Sequence, residues 1–149
     1  MNGTARHINE LVNNPCVNAF HMYAFYETYG DRERGLLAAY LVYPFVLHPD
    51  LGEVAERWRR TPHLLSVVDK HAVLFADFAE RLERFRSDTV RSLELLAGAG
   101  AIELTAGLGV RVGARPSSMP KSPAARKLAL LIRGYSLPAI YRTMGVSEL

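Results

Sequence analysis

The sequence predicts a mainly α-helical protein with one small β-hairpin: a single winged helix-turn-helix-like domain with extra helices at both ends. Three observations point there. Within residues 87–113, SDTVRSLELLAGAGAIELTAGLGVRVG, Ser87 and Asp88 suit a helix start and Val90, Leu93, Leu96 and Ala97 recur at helical spacing. Two short alternating runs follow at once, Ala101–Thr105 and Gly109–Gly113, joined across a Gly-containing loop as in a β-hairpin. A length of 149 residues with 49% hydrophobic and 22% charged residues suits one globular domain with a real core. Its parts are expected at about 1–62 (N-terminal helices), 63–115 (winged-helix-like) and 116–149 (C-terminal helices).

Taken in order, Thr4–Asn13 forms a short helix with Ile8, Leu11 and Val12 on one face, ended by Asn14-Pro15. A second helix spans about Cys16 to Tyr29. It holds Phe20, Tyr23, Phe25, Tyr26 and Tyr29, which share no single stripe, so it is buried on several sides or belongs to an interface. Gly30-Asp31 closes this helix and caps the next. Leu36–Leu47, apolar nearly all round, predicts a central core helix kinked or ended by Pro44. His48-Pro49-Asp50 reads as a turn. Glu53–Arg60 reads as a charged helix with Glu53/Arg57 and Glu56/Arg60 at i, i+4 spacing, pinned to the core by Trp58 and broken at Thr61-Pro62.

Between His63 and Phe85 the apolar spacing fits one long helix, or two with a break near Lys70–Ala72. Phe75–Phe85 is then the supporting helix and Arg86-Ser87 the turn before the helix that could reach a DNA groove. After the hairpin and the Ala114–Pro120 loop, Ser122-Pro123 opens a helix that stops at Gly134. Ser136-Leu137-Pro138 opens the last, which Gly145 stops. Ser136–Ser147 mimics the first half of a helix-turn-helix. With two residues left to Leu149 there is no room for a recognition helix, so a capping C-terminal helix is expected.

The polar first ten residues predict no secretory leader. The longest apolar run is too short to span a bilayer, and the lone Cys16 allows no internal disulfide. A cytoplasmic protein is expected. The net charge of +3 is uneven: residues 1–103 carry eleven basic against fourteen acidic side chains, residues 104–149 seven against one. A basic end on a slightly acidic body suits an acidic partner, nucleic acid or protein, or a solvated basic surface. Arg91, Arg111 and Arg115 are the candidate nucleic-acid contacts. Lys121, Arg126, Lys127 and Arg133 are the candidate partner interface, beside an apolar face of Leu128, Leu131 and Ile132.

Catalytic and metal-ligating residues are expected to be none, and cofactors none. His71 shares an apolar stripe with Val68 and Phe75 and no ligand lies one turn away, so it reads as a core or interface histidine. His63 and His71 are eight residues apart, too far for ligation from adjacent turns. Cys16, His21 and His48 have no zinc or nucleophile spacing. Gly107 and Gly109 sit in a hairpin, with no helix following as a dinucleotide fingerprint requires.

Three blocks together resemble the middle component of bacterial three-component ABC-ATPase systems. They are Asn14-Pro15 before an apolar helix, Leu41-Val42-Tyr43-Pro44-Phe45-Val46-Leu47-His48, and the long tract from Phe75–Phe85 through 87–113 to the basic helix and the terminal IYRTMGV. The segment Pro49–Thr61 departs from that family, being longer and more acidic than its usual hydroxyl-rich linker. The resemblance implies a small non-catalytic adaptor, encoded with an ABC ATPase similar to the DNA-repair and chromosome-maintenance type and with a third, effector-bearing component. Such systems are thought to act against phage or other foreign DNA. The resemblance implies no catalytic residues. From the residues themselves, no membrane contact is expected, any DNA contact by Arg91, Arg111 and Arg115 is expected to be weak and non-specific, and a homo-oligomer is left open. A free-standing winged-helix DNA-binding regulator is the alternative.

Overall fold

The computed structural model describes residues 15–116 and 118–147, the side chains of Pro15 and Cys16 excepted. The helix expected over Thr4–Asn13 lies outside them. Helix α1 (Pro15–Tyr29) begins at its proline, where no backbone N–H is needed, and ends at Gly30 with φ 83°. Met22, Tyr23, Phe25, Tyr26 and Tyr29 surround it and all are buried. Of the two readings the sequence allowed, burial on several sides is the one observed.

The apolar run Leu36–Leu47 is not one α-helix. A 3₁₀ helix covers Gly35–Leu41 and a short α2 covers Val42–Val46. Pro44 is the third residue of α2, inside the first turn, where a missing N–H costs no intrahelical bond. The proline therefore starts a new helix instead of kinking an old one. Likewise, His48-Pro49-Asp50 is not a free turn but the start of α3 (Pro49–Glu56). The His48 ring Nδ1 accepts from the backbone N–H groups of Asp50 (3.1 Å) and Leu51 (3.2 Å), and Pro49 takes the first helical position. The Arg57–Glu53 pair forms. Arg60 lies past the helix end, so its expected pair with Glu56 is absent among the described residues. Trp58 is partly buried against the core, its ring 6.5 Å from that of Phe45.

Helices α4 (Leu64–Lys70) and α5 (Ala72–Phe75) are separated by a break at His71, φ −117° and ψ 36°. Helix α6 then runs unbroken for 21 residues, Phe78–Gly98. No turn exists at Arg86-Ser87, so Ser87 is a mid-helix residue and not a cap. No Gly or Pro falls between Phe78 and Ala97, and one buried stripe passes straight through: Phe78, Leu82, Phe85, Thr89, Ser92 and Leu96. The inward face is thus rotated from the one predicted. Val90 is 39% exposed and Ala97 is exposed, because two hydroxyl residues, Thr89 and Ser92, hold the core positions. Ser92 Oγ lies 2.5 Å from the Tyr43 hydroxyl, and burial pushes that phenol up to about 12.

Gly100 (φ 75°) ends α6 with the Ala101 N–H bonded back to the Leu96 carbonyl at 2.9 Å. The hairpin follows, β1 (Ile102–Thr105) antiparallel to β2 (Gly109–Val112), with Ile102 opposite Val112 and Thr105 opposite Gly109. Helix α7 (Pro123–Ile132) is capped by the Ser122 hydroxyl and α8 (Leu137–Thr143) by that of Ser136, as the two Ser-Pro signals predict. Gly145 (φ 86°) closes α8, the Val146 N–H returning to the Tyr141 carbonyl at 2.8 Å.

Helix α1 lies against both α7 and α6, α2 touches both of these as well, and α3 packs on α7, with Gly52 beside Ala124. One buried cluster continues from Ala19 to Val146. The architecture is mainly helical with a two-stranded antiparallel sheet.

Candidate functional site

The tip of the hairpin is bound to the chain itself. The Arg34 N–H donates to the Gly107 carbonyl (2.7 Å) and the Leu36 N–H to that of Leu108 (2.9 Å). The Thr105 hydroxyl donates to Asp31 Oδ1 at 2.8 Å, and Arg111 pairs with Asp31 Oδ2 at 3.5 Å. Asp31, expected to cap the next helix, spends its carboxylate on the hairpin instead. A wing that reads DNA needs its tip and its cations free. Here the tip rests on the loop between α1 and the 3₁₀ helix, beside Asp31 and Glu33.

Of the three candidate nucleic-acid contacts, two are therefore engaged. Arg111 is paired as above. Arg115 forms an ion pair with Glu27, donates to the Pro120 carbonyl at 2.9 Å, and lies 5.6 Å from the Tyr23 ring centroid. It fastens the loop after the hairpin to α1. Arg91 is exposed on α6, in a shallow depression shared with the Arg86–Glu83 ion pair and with Glu94, whose charge opposes a phosphate.

The candidate partner residues divide as well. Leu128, Leu131 and Ile132 are at most 1% exposed, covered by the chain's own α1, α2 and α3. Fully burying each is worth about 1.5–3 kcal/mol over exposure, so this face belongs to the core and is not left for a partner groove. Lys127 donates from Nζ to the Trp58 carbonyl at 2.5 Å and so ties α7 to the end of α3. Arg133 reaches the Thr28 carbonyl at 3.4 Å, while its own carbonyl accepts from Arg32. Lys121 and Arg126 are exposed, and their side chains have no hydrogen bond or ion pair among the described residues. With Arg115, Glu27 and Ser122 they line a cleft of about 380 Å³ between α1 and the start of α7.

Each of the four described histidines has a local partner or place. His21 Nδ1 meets Ser122 Oγ at 2.6 Å, and burial pulls its imidazole down to about 4. His48 caps α3, His63 lies 3.3 Å from the Tyr135 hydroxyl, and His71 is half-buried at the α4–α5 break. Among the described residues, no group of three or more His, Cys, Asp or Glu side chains is placed to hold a metal ion. No helix there is long and apolar enough to cross a membrane.

Over residues 3–148 the sequence matches the family described as ABC-three component (ABC-3C) system Middle Component 3. The chain belongs to this family. No curated protein and no solved structure matches it at a significant level. Middle Component 3 membership covers the hairpin, both unpaired cations of the cleft and the terminal helix in one match. Sequence reasoning overlooked the residues that engage the cations of this Middle Component 3 chain: Glu27, Asp31, Tyr23 and the Trp58 carbonyl. Each is far away along the chain from the cation it holds, and no spacing marks them. It also overlooked a second concave surface, between the 3₁₀ helix and α8, where Arg34 and Arg142 stand beside apolar side chains.

Proposed function

We propose that this Middle Component 3 protein is a non-catalytic adaptor. It bridges an ABC ATPase of the repair and chromosome-maintenance type and a third, effector-bearing component, in defence against phage or other foreign DNA. The observation that carries the reading is the family match along residues 3–148. The geometry supports it: the apolar face of α7 is taken up by the protein's own core, and what this end of α7 offers outward is a cleft with two cations, Lys121 and Arg126, that have no partner among the described residues. Such a surface suits an acidic patch on a partner protein.

A free-standing DNA-binding regulator fits less well. The docked hairpin tip, the pairing of Arg111 and Arg115, and the acidic neighbours of Arg91 leave little for phosphate. Any DNA contact in this reading is weak, sequence-independent and strongly weakened by salt.

The test is co-purification with the proteins encoded alongside it. Reversing both charges, Lys121→Glu with Arg126→Glu, is expected to leave the thermal midpoint nearly unchanged, because exposed charges contribute at most about 1 kcal/mol. It is expected to reduce recovery of the ATPase or the effector component. Lys127 is left alone because it holds Trp58. Wild-type recovery and wild-type salt resistance from the double variant would overturn the assignment of this cleft.

A further inference from the structure

The groove between the 3₁₀ helix and α8 has a composition that the fold does not account for. Its floor is apolar, formed by Leu37, Leu137, Tyr141 and Val146, and two guanidinium groups, Arg34 and Arg142, stand at its rim. The space is about 520 Å³. Among the described residues, neither arginine side chain has a hydrogen bond or ion pair and no acidic side chain lines the groove.

The groove is also held in shape before anything enters it. The Tyr141 hydroxyl donates to the Leu37 carbonyl and so ties α8 to the 3₁₀ helix. The turn at Gly145 places Val146 back over α8 through its bond to the Tyr141 carbonyl. Arg34 occupies the left-handed region, φ 59°, where a side chain with a Cβ is strained. Its N–H bond to Gly107 keeps it there. Backbone strain of this kind persists where the surroundings over-determine it, and such positions cluster at ligand clamps.

We infer that this groove is a docking site for an acidic, leucine-bearing segment of a partner protein. Charge complementarity selects the occupant: aliphatic side chains fill the floor while carboxylates meet Arg34 and Arg142. Tyr141 is only 6% exposed, so no open aromatic face is offered on which a base could stack. The groove uses none of the residues of the Lys121/Arg126 cleft. The inference extends the adaptor reading, since an adaptor needs two contact surfaces, but it is tested separately.

The experiment uses the full chain and a fluorescein-labelled helical peptide carrying leucines at i, i+3 and i+4 with glutamates between them. Binding is read by fluorescence anisotropy and located by amide chemical-shift changes. The shifts are expected at Leu37, Leu137 and Val146. Arg34→Gly removes the guanidinium while glycine keeps the left-handed backbone at no cost. Combined with Arg142→Gln, it is expected to weaken binding about tenfold, and Arg142→Gln alone severalfold. Lys121→Gln with Arg126→Gln is expected to leave the affinity unchanged. A glutamine-for-glutamate peptide that binds equally well would overturn the inference. So would affinity lost only in the Lys121/Arg126 variant, or no binding at all. None of these results bears on co-purification through the cleft.

Discussion

Thr89 lies on the buried stripe of α6, 0% exposed, and its hydroxyl has no hydrogen-bond partner among the described residues. A buried hydroxyl left unpaired costs about 1–3 kcal/mol of desolvation. Thr89→Val keeps the shape and the β-branch while replacing that oxygen with a methyl group. Threonine and valine have nearly equal helix propensity, so the backbone contributes little to the difference. The variant is therefore expected to be more stable by about 1–2 kcal/mol, the lower part of the desolvation cost. For a chain of this size that is a rise in thermal midpoint of roughly 2–8 °C. Urea unfolding at constant m-value is the assay. Ser92, one turn later on the same stripe, supplies the contrast. Ser92→Ala strips the Tyr43 phenol of its 2.5 Å partner and should destabilise by about 1–3 kcal/mol. The two substitutions both remove one buried hydroxyl from one helix face, yet their signs should be opposite. Loss of stability in Thr89→Val would refute the reasoning, because it would mean that the hydroxyl has a partner.

Ser87→Ala separates a cap from a mid-helix position: in the continuous α6 it should be neutral or gain about 0.5 kcal/mol, whereas a true cap would lose about 1 kcal/mol. Gly109→Ala should destabilise by about 1–3 kcal/mol in thermal unfolding, since its methyl would overlap the Asp31 carboxylate and the Thr105 hydroxyl and lie 3.1 Å from the Arg32 carbonyl. Gly98→Ala, in open space at the end of α6, should instead gain up to about 1 kcal/mol. His21 titrates near 6.5 when unfolded and at about 4 when folded. Between those values the unfolded chain binds the extra proton, so stability should be full above pH 6.5 and decline as pH falls towards 4. Urea midpoints at pH 7 and pH 5 check this, and the difference should shrink in His21→Gln.

The sequence showed best what is encoded locally. The Ser122-Pro123 and Ser136-Leu137-Pro138 starts, the Gly145 stop and the hairpin with its Gly-containing loop each rest on a few neighbouring residues. His48-Pro49 is the same kind of start as Ser122-Pro123, yet it reads as a turn because histidine is not among the preferred caps. Ser87-Asp88 misled in the opposite direction, offering cap chemistry inside a helix whose flanking stripe of 78, 82, 85, 89, 92 and 96 overrides it. The phase of α6 was lost with it, since a reading by hydrophobicity places Val90 inside and Thr89 outside. The candidate site was legible only in its composition. Which basic side chains are engaged depends on contacts between residues far apart, such as Arg115 with Glu27 and Lys127 with the Trp58 carbonyl. Local patterning carries no trace of these.

The fate of the basic end follows from those contacts. Of the seven basic residues after Glu103, Arg111 and Arg115 are held by carboxylates and Lys127 and Arg133 by backbone carbonyls. Lys121, Arg126 and Arg142 are left without partners among the described residues. Lys121 and Arg126 line the cleft, and Arg142 lines the groove together with Arg34, also unengaged. An exposed cation with no partner adds almost nothing to folding stability. In the proposed reading, each of these cations stands beside a concave, partly apolar surface in order to meet an acidic partner. Neutralising all four, Arg34→Gly, Lys121→Gln, Arg126→Gln and Arg142→Gln, should therefore shift the unfolding midpoint little while stripping the protein of its acidic partners. A large loss of stability in that variant would place these cations in the fold and remove them from recognition.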